Sequence, residues 1–487
     1  MRRRLLACIA SAVLLPAATA GSAAADGPSV QAIGQEAASQ QSASSSATST
    51  QVAPSNTNVS VRIGSPGDGG AVTQTNSSSA ASAAGNANDL VQQAEQTAAD
   101  AGVQSVDQSA ANQQSADSAA TSTQVHPQNQ NISVRIMSPG DDGSVTQTND
   151  SSATSAAGNA NKTDQSAGQS GGGSGGVQHV GQKASSDQDA SSEATSEQKH
   201  PSNVNVPVRI YSPGDDGDVT QTNSSSAKSA AGNANATDQS AEQSAGGYGD
   251  LTVQAIGQKA QSAQDASSDA SSEQLAPSNS SSPVRIGSPG GGGDVTQTNS
   301  SSAVSAAGNA NRTSQDAAQD AGPSEPVVVK EDSGGPVTVQ AVGQWADNDQ
   351  SADSSADSTQ KEARNANSPV RIKSRGDDGS VDQSNSSSAK SAAGNLNAAD
   401  QSTEQEAGGL SDVLVQAIGQ KAGNDQDASS DAYSEQIAPS NANEPVALVS
   451  PGDGGVVEQS NDSWAASAAG NRNATCQRAK ERTRTVQ

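Results

Sequence analysis

The charges in this chain keep to one side of a two-residue alternation, and that rule limits its fold more than any other feature. One sequence unit recurs six times, and each copy has two long arms. In the second copy the first arm places Gln104, Val106, Gln108, Ala110, Asn112, Gln114, Ala116, Ser118, Ala120, Ser122 and Gln124 on every second residue. The second arm does the same with Val145, Gln147, Asn149, Ser151, Ala153, Ser155, Ala157, Asn159, Asn161, Thr163, Gln165, Ala167 and Gln169. With the last arm ended at residue 477, the arms of all copies hold 38 charged residues. All 38 occupy the intervening phase, as Asp107, Asp117, Asp150, Lys162 and Asp164 do. A period of two marks a β-strand with two chemically different faces; a helix would spread such charges around its circumference.

Composition rules out an ordinary oily core. The 487 residues include no Phe, two Trp and three Tyr, and the 31% hydrophobic content is mostly alanine, whose burial removes little apolar area. Low hydrophobicity with Ser, Gln, Gly and Ala enrichment favours a largely disordered low-complexity chain, which is the alternative fold reading. The alternation weighs against it, because a chain that never pairs its faces has no use for two of them. The sequence therefore predicts an all-β fold, a repetitive β-solenoid-like stack of six units of about 75 residues.

Residues 1–25 read as a signal peptide, with Arg2, Arg3 and Arg4, an apolar stretch from Leu5 to Leu15, and Ala23-Ala24-Ala25 before Asp26. Its removal leaves 23 basic against 52 acidic residues. No other stretch is apolar for long enough to span a bilayer, so the expectation is an exported protein, secreted or at the cell surface, with no transmembrane segment after signal removal. Only Cys476 remains beyond the signal, which excludes an intramolecular disulfide. An acidic chain without basic clusters argues against nucleic acid as a partner. Basic residues gather only near the end, at Arg472, Arg478, Lys480, Arg482 and Arg484, and 478–487 reads as a solvated basic tail that could serve as a cap or an anchor.

Two landmarks set the repeat register. The glutamines Gln31, Gln104, Gln178, Gln254, Gln340 and Gln416, and the glycines Gly85, Gly158, Gly232, Gly308, Gly394 and Gly470, both step by 73, 74, 76, 86 and 76 residues. The copies span 30–100, 101–170, 177–247, 251–321, 337–408 and 413–477, and a Pro/Gly-rich linker insert at 322–336 accounts for the long step. Between the arms lies a connector, Pro201 to Gly217 in the third copy, ending in Ser212-Pro213-Gly214-Asp215-Asp216-Gly217. Flanked by Val208-Arg209-Ile210 and Val219-Thr220-Gln221, that cluster reads as a hairpin loop. As one strand, the second arm would be about 80 Å long, far beyond the usual strand, so a corner is expected at Ala157-Gly158-Asn159.

The uncharged phase carries the candidate site. Stacked copies would bring identical amides above one another, so Gln147, Asn149, Asn159, Asn161, Gln165, Gln221, Asn223, Asn233, Asn235 and Gln239 are predicted to form inner-face Asn and Gln ladders. A buried amide without such a partner would cost on the order of 1–3 kcal/mol, so stacking and laddering stand together.

Gln416, Gly419, Ala422 and Gln426 fall in the order Gln, Gly, Ala, Gln, and Gly158, Asn161 and Gln165 in the order Gly, Asn, Gln. This pattern resembles the repeats of curlins, extracellular functional-amyloid subunits that follow Gln-x-Gly-x-x-Asn-x-Ala-x-x-x-Gln. Gly419 stands one residue late, Asn is missing before Ala422, Thr163 replaces an alanine, and the unit here is much longer. The resemblance covers the arms and implies a β-solenoid able to self-assemble outside the cell.

No constellation for catalysis, cofactor or metal emerges. A nucleophile needs a base within hydrogen-bonding reach, and His126 and His200 stand where other copies carry Ala53, Ala276 and Ala438. His179 lies on the charged phase, and Cys and His are too scarce to make a metal centre. Turn aspartates such as Asp68, Asp141-Asp142, Asp215-Asp216, Asp377-Asp378 and Asp453 offer oxygen ligands, but the fourth copy reads Gly290-Gly291-Gly292-Gly293, so they read as turn formers and not as a calcium site. Arg62, Arg135, Arg209, Arg285 and Arg371 recur beside them, suggesting cross-strand ion pairs worth about 0.2–1 kcal/mol each. Trp345 and Trp464 carry no motif. The expected role is non-enzymatic and structural, a cell-surface or matrix protein that self-associates or contacts cell-surface components. The alternatives are a protein whose repeated face binds carbohydrate, ice or mineral, and a disordered acidic spacer. Outer positions vary between copies (Lys228 against Ala81, Thr154 and Val304), which favours the structural role.

Overall fold

The computed structural model describes residues 30–98, 102–171, 176–246, 251–322, 337–408 and 413–484. The signal segment and almost all of the insert lie outside them. Every regular element among the described residues is a β-strand, and every strand pairing is parallel between neighbouring copies. Each copy makes one coil, and the six coils stack as a β-solenoid.

Three sheets run the height of the stack. The first arms form one: Val30–Val52, Val103–Val125, Gly176–Lys199, Leu251–Leu275, Val337–Lys361 and Val413–Ile437. The second arms form another: Val72–Ala98, Val145–Gly171, Val219–Ala245, Val295–Ala321, Val381–Gly408 and Val457–Arg484. The connectors form a shorter sheet, beginning with Ser55–Ile63, Gln128–Ile136 and Ser202–Ile210. Equivalent residues pair throughout, so Gln31 meets Gln104, then Gln178, Gln254, Gln340 and Gln416 in turn.

Two local expectations are corrected. The Pro-Gly-Asp-Asp-Gly cluster is not a hairpin loop: Val208-Arg209-Ile210 pairs with Val284-Arg285-Ile286, and Val219 pairs with Val145 and Val295. It is a bend between two different sheets. Nor is there a corner at Ala157-Gly158-Asn159. Val145–Gly171 is one strand of 27 residues, about 90 Å long, and its buried phase continues unbroken through Ala157 and Asn159. Usual strand lengths reflect the size of a compact core; here each strand is held along its whole length by a copy on either side. Gly158 permits close approach within the sheet, since a Cβ there would stand 3.3 Å from the Gly232 carbonyl oxygen.

The coil turns elsewhere. After the first arm come Ala53, His126, His200, Ala276, Glu362 and Ala438, and all six adopt left-handed φ between 48° and 53°. A second left-handed residue ends the connector, for instance Met137 at 48° and Tyr211 at 49°. The Pro-Gly step then requires glycine: Gly214 has φ 137°, and a Cβ on it would stand 2.3 Å from the Gly140 carbonyl oxygen. The histidines thus occupy a backbone corner. The basic segment expected as a free tail instead continues the last strand to Arg484.

The two long sheets face each other across a thin core. Ala120, Ala194, Ala270 and Ala356 of the first-arm sheet meet Ala80, Ala153, Ala227, Ala303 and Ala389 of the second-arm sheet. A second cluster sets Val106, Val180, Ile256 and Val342 against Ala94, Ala167, Ala241 and Ala317. A third sets Ala116, Ala190, Ala266 and Ala352 against Ala157, Ala231, Ala307 and Ala393. Alanine on both faces lets the sheets approach closely, and polar residues fill most of the remaining inner positions.

Candidate functional site

The ten amides named from the sequence are all buried. Gln147 donates to Gln74 at 2.8 Å and Gln221 to Gln147 at 2.8 Å; Gln165 donates to Gln92 at 2.7 Å and Gln239 to Gln165 at 2.8 Å. Asn149 donates to Asn223 and Asn223 to Asn299, both at 2.9 Å. Asn159 donates to Asn233 at 2.9 Å and Asn233 to Asn309 at 3.0 Å, while Asn161 to Asn235 and Asn235 to Asn311 are both 2.7 Å. The same amides reach across the core. Gln147 donates to the Val204 carbonyl at 3.0 Å, and Gln165 to the Lys183 carbonyl at 3.0 Å. Each amide therefore holds two coils and two sheets together.

The ladders have a direction. Glutamine ladders donate toward the first coil, as Gln124 does to Gln51 and Gln477 to Gln401. Asparagine ladders donate toward the last, as Asn56 does to Asn129 and Asn397 to Asn473. The two types thus run antiparallel along the stack. At the last coil, glutamine oxygens and asparagine N–H groups point onward; at the first coil, the pattern is inverted.

Sequence reasoning missed one further column and misplaced another, whose ion pairs it expected at an exposed hairpin. The first is a zigzag of serine hydroxyls crossing between the long sheets. Ser122 meets Ser78 at 3.0 Å and Ser151 at 2.9 Å, Ser196 meets Ser151 at 3.1 Å and Ser225 at 2.9 Å, and the series continues to Ser434 and Ser463. The regular spacing of Ser122 and Ser151 was legible, but their opposition across the core depends on where the chain turns. The second is a charged column in the connector. Arg135, Arg209, Arg285 and Arg371 are buried, not exposed at a hairpin, so a surface-pair energy does not apply to them. Asp142 lies 2.6 Å from Arg135 and 3.0 Å from Arg209, and Asp216 lies 2.9 Å from Arg209 and 2.7 Å from Arg285. Arg371 pairs with Asp378 at 2.9 Å. The remaining guanidinium N–H groups go to turn carbonyls, such as Arg209 to Gly140 at 2.9 Å. The recurrence of Arg with Pro-Gly-Asp-Asp-Gly was the available signal.

The other turn aspartates bond along the stack. Asp68 accepts from the Asp141 backbone N–H at 3.0 Å, Asp141 from that of Asp215 at 2.9 Å, and Asp377 from that of Asp453 at 2.9 Å. His126 and His200 stack at 4.9 Å, and His179 lies 3.7 Å from Asp107. No group of three or more His, Cys, Asp or Glu among the described residues is arranged to hold a metal ion. No helix among them is long and apolar enough to cross a membrane.

The outer faces carry the charge. On the first sheet Asp189, Asp265, Asp269 and Asp357 are held above the ordinary carboxylate range, first by partial burial and then by neighbouring carboxylates. Trp345 lies between Lys259 and Lys421, with ammonium-to-ring distances of 4.9 and 4.6 Å. On the second-arm sheet, Thr73 and Thr75 stand in register with Thr146 and Thr148, Thr220 and Thr222, and Thr296 and Thr298. Compared with protein families, curated proteins and solved structures, the chain matches none.

Proposed function

We propose that this chain is an exported, non-enzymatic structural protein of the cell surface or extracellular matrix, a building block that self-associates into fibres. The observation that carries this reading is a core of directional amide ladders running through all six coils and reaching the outermost coil at either end. A single chain is a slab about 90 Å wide and only about 29 Å tall, six rungs at about 4.8 Å. It leaves a long strand edge at top and bottom, and such edges are templates for adding another chain. The last strand is exposed on both phases over 457–483, whereas the equivalent inner residues of Val381–Gly408 are buried. The basic start, apolar stretch and small residues of 1–25 support export.

The test is electron microscopy and sedimentation of the chain from Asp26 at rising concentration. Fibres with a cross-β spacing are expected, and a monomer at every concentration would reject the assembly reading. One observation favours a second reading. The paired threonines of four successive coils repeat in register on an outer face, making a regular hydroxyl array suited to a carbohydrate, ice or mineral surface. Co-sedimentation with insoluble polysaccharide, compared between the natural chain and Thr220→Lys, separates the two.

A further inference from the structure

We infer that copies of this chain join head to tail, the last coil of one seating on the first coil of the next, in the same register that joins coils within a copy. This rests on the self-association proposed above and specifies its polarity, register and contact residues. Four independent features of the two ends agree on it.

The ladders come first. Glutamine oxygens pointing onward from the last coil would meet glutamine N–H groups pointing out of the first coil, as Gln477 would meet Gln92. The asparagine N–H of Asn473 would likewise meet the oxygen of Asn88. Joining two first coils, or two last coils, would set donors against donors and acceptors against acceptors. Charge is the second feature. The register that carries Lys421 through Trp345, Lys259, Lys183 and Ser109 ends on Glu36. The one that carries Lys480 through Glu404, Ala318, Glu242 and Gly168 ends on Glu95. Both lysines of the last coil therefore land on the two glutamates of the first coil's long strands, while Arg472, Arg478 and Arg482 fall over the uncharged Ala87, Gln93 and Thr97. Lys480 already shows the geometry within the chain, 2.7 Å from Glu404 one rung below.

The turn column is the third. Asp453 falls over Asp68, the one junction pair of like sign among the described residues, and this repeats Asp141 over Asp215, where the carboxylate accepts the next backbone N–H. The fourth is size. Paired edges about 90 Å long on two sheets about 10 Å apart cover on the order of 1,000 Å² per copy, enough for a stable interface. One residue opposes the junction. Glu481 occupies the inner phase where the other copies carry Gln96, Gln169, Gln243, Gln319 and Gln405, and it leaves the buried Gln405 Oε1 without a hydrogen-bond partner. An inward charge on an edge strand restrains edge pairing. Glu481 thus acts as a brake on joining.

The test uses two charge-reversed chains, Glu36→Lys with Glu95→Lys, and Lys421→Glu with Lys480→Glu. All four sites are on outer phases, and melting curves check that each chain folds as the natural one does. Each variant alone opposes like charges at every junction and should raise the critical concentration for assembly about tenfold. In an equimolar mixture the two variants can alternate, so that every junction again pairs opposite charges, and the critical concentration should return to the natural value. Glu481→Gln, completing its ladder, should lower it. If the natural chain assembles while both variants assemble equally well alone, or the mixture fails to recover, the head-to-tail register is wrong and self-association stands. If the natural chain stays monomeric, both fall.

Discussion

The long arms and the connector solve the same stacking problem with opposite chemistry. In the arms, identical neutral amides sit above one another and every charge but Glu481 at the edge of the last coil faces out. In the connector, like charges are stacked inside: Arg135, Arg209, Arg285 and Arg371 are buried on successive rungs. An amide is its own complement, donor at one end and acceptor at the other, so any number of copies can be added. An arginine is not, and its column needs carboxylates interleaved from a second residue. Copies two, three and five supply Asp142, Asp216 and Asp378, while copy four has Gly292 and borrows Asp216 from the coil before it. The arms tolerate repetition freely; the connector depends on particular neighbours.

That dependence gives the largest expected effect. Asp216→Ala leaves Arg285 buried with no carboxylate, whereas Arg209 keeps Asp142 at 3.0 Å. A buried pair broken on one side costs about 3–5 kcal/mol, to be read from denaturant unfolding. Adding Arg285→Met should recover most of the loss. If Asp216→Ala unfolds like the natural chain, the charged column does not bear on stability and the contrast collapses.

In the arms a charge must be introduced before a comparable effect appears. Gln147→Lys places an ammonium between Gln74 and Gln221 in a buried column, and should destabilise by about 3 kcal/mol. Lys162→Glu, on the outer phase, should cost no more than about 1 kcal/mol, because it only sets an exposed carboxylate beside its register partner Asp89, with the neutral Ala236 on the other side. Equal melts for the two would reverse the assignment of faces.

What could be read in the sequence follows the same division. Period and repeat spacing are properties of the chain alone, so the alternation gave the strand character, the buried phase and the ladder positions such as Asn159 and Gln165. The path of the chain between arms is not, because it depends on which backbone positions accept left-handed φ. His126 and Ala53 give no compositional hint that they are corners, and Gly158, the residue type that usually signals one, sits inside a straight strand. With the corners misplaced, the opposition of Ser122 to Ser151 and the burial of Arg209 were out of reach.

A smaller effect, of opposite sign, tests the self-complementarity argument. Asn112 is buried on an inner column whose register neighbours are Ser39 and Ser186, and neither its Oδ1 nor its Nδ2 has a hydrogen-bond partner. An amide ladder cannot form with serines above and below. Asn112→Ser should therefore stabilise the chain by about 1 kcal/mol. A loss of stability would mean that like residues on adjacent rungs are not what the inner face requires.

The smallest effect concerns the outer acidic face and its pH dependence. Burial first, then neighbouring carboxylates, raise the pKa of Asp189, Asp265, Asp269 and Asp357 in the folded chain above the value of 3.8 expected when unfolded. A raised carboxylate binds its proton more readily in the folded state, so stability must rise as the pH falls from neutral through the raised pKa, and the gain is complete below 3.8. Glu404, held low by Lys480, works in the opposite direction at one exposed site. The raised groups outnumber it, and a higher melting temperature is expected at about pH 4.5 than at pH 7. Asp265 faces Asp349 and Asp353 of the next coil, so Asp265→Ser should raise the neutral-pH melting temperature and flatten the profile. A profile unchanged by that substitution would show that carboxylate crowding on the outer face has no part in the pH response.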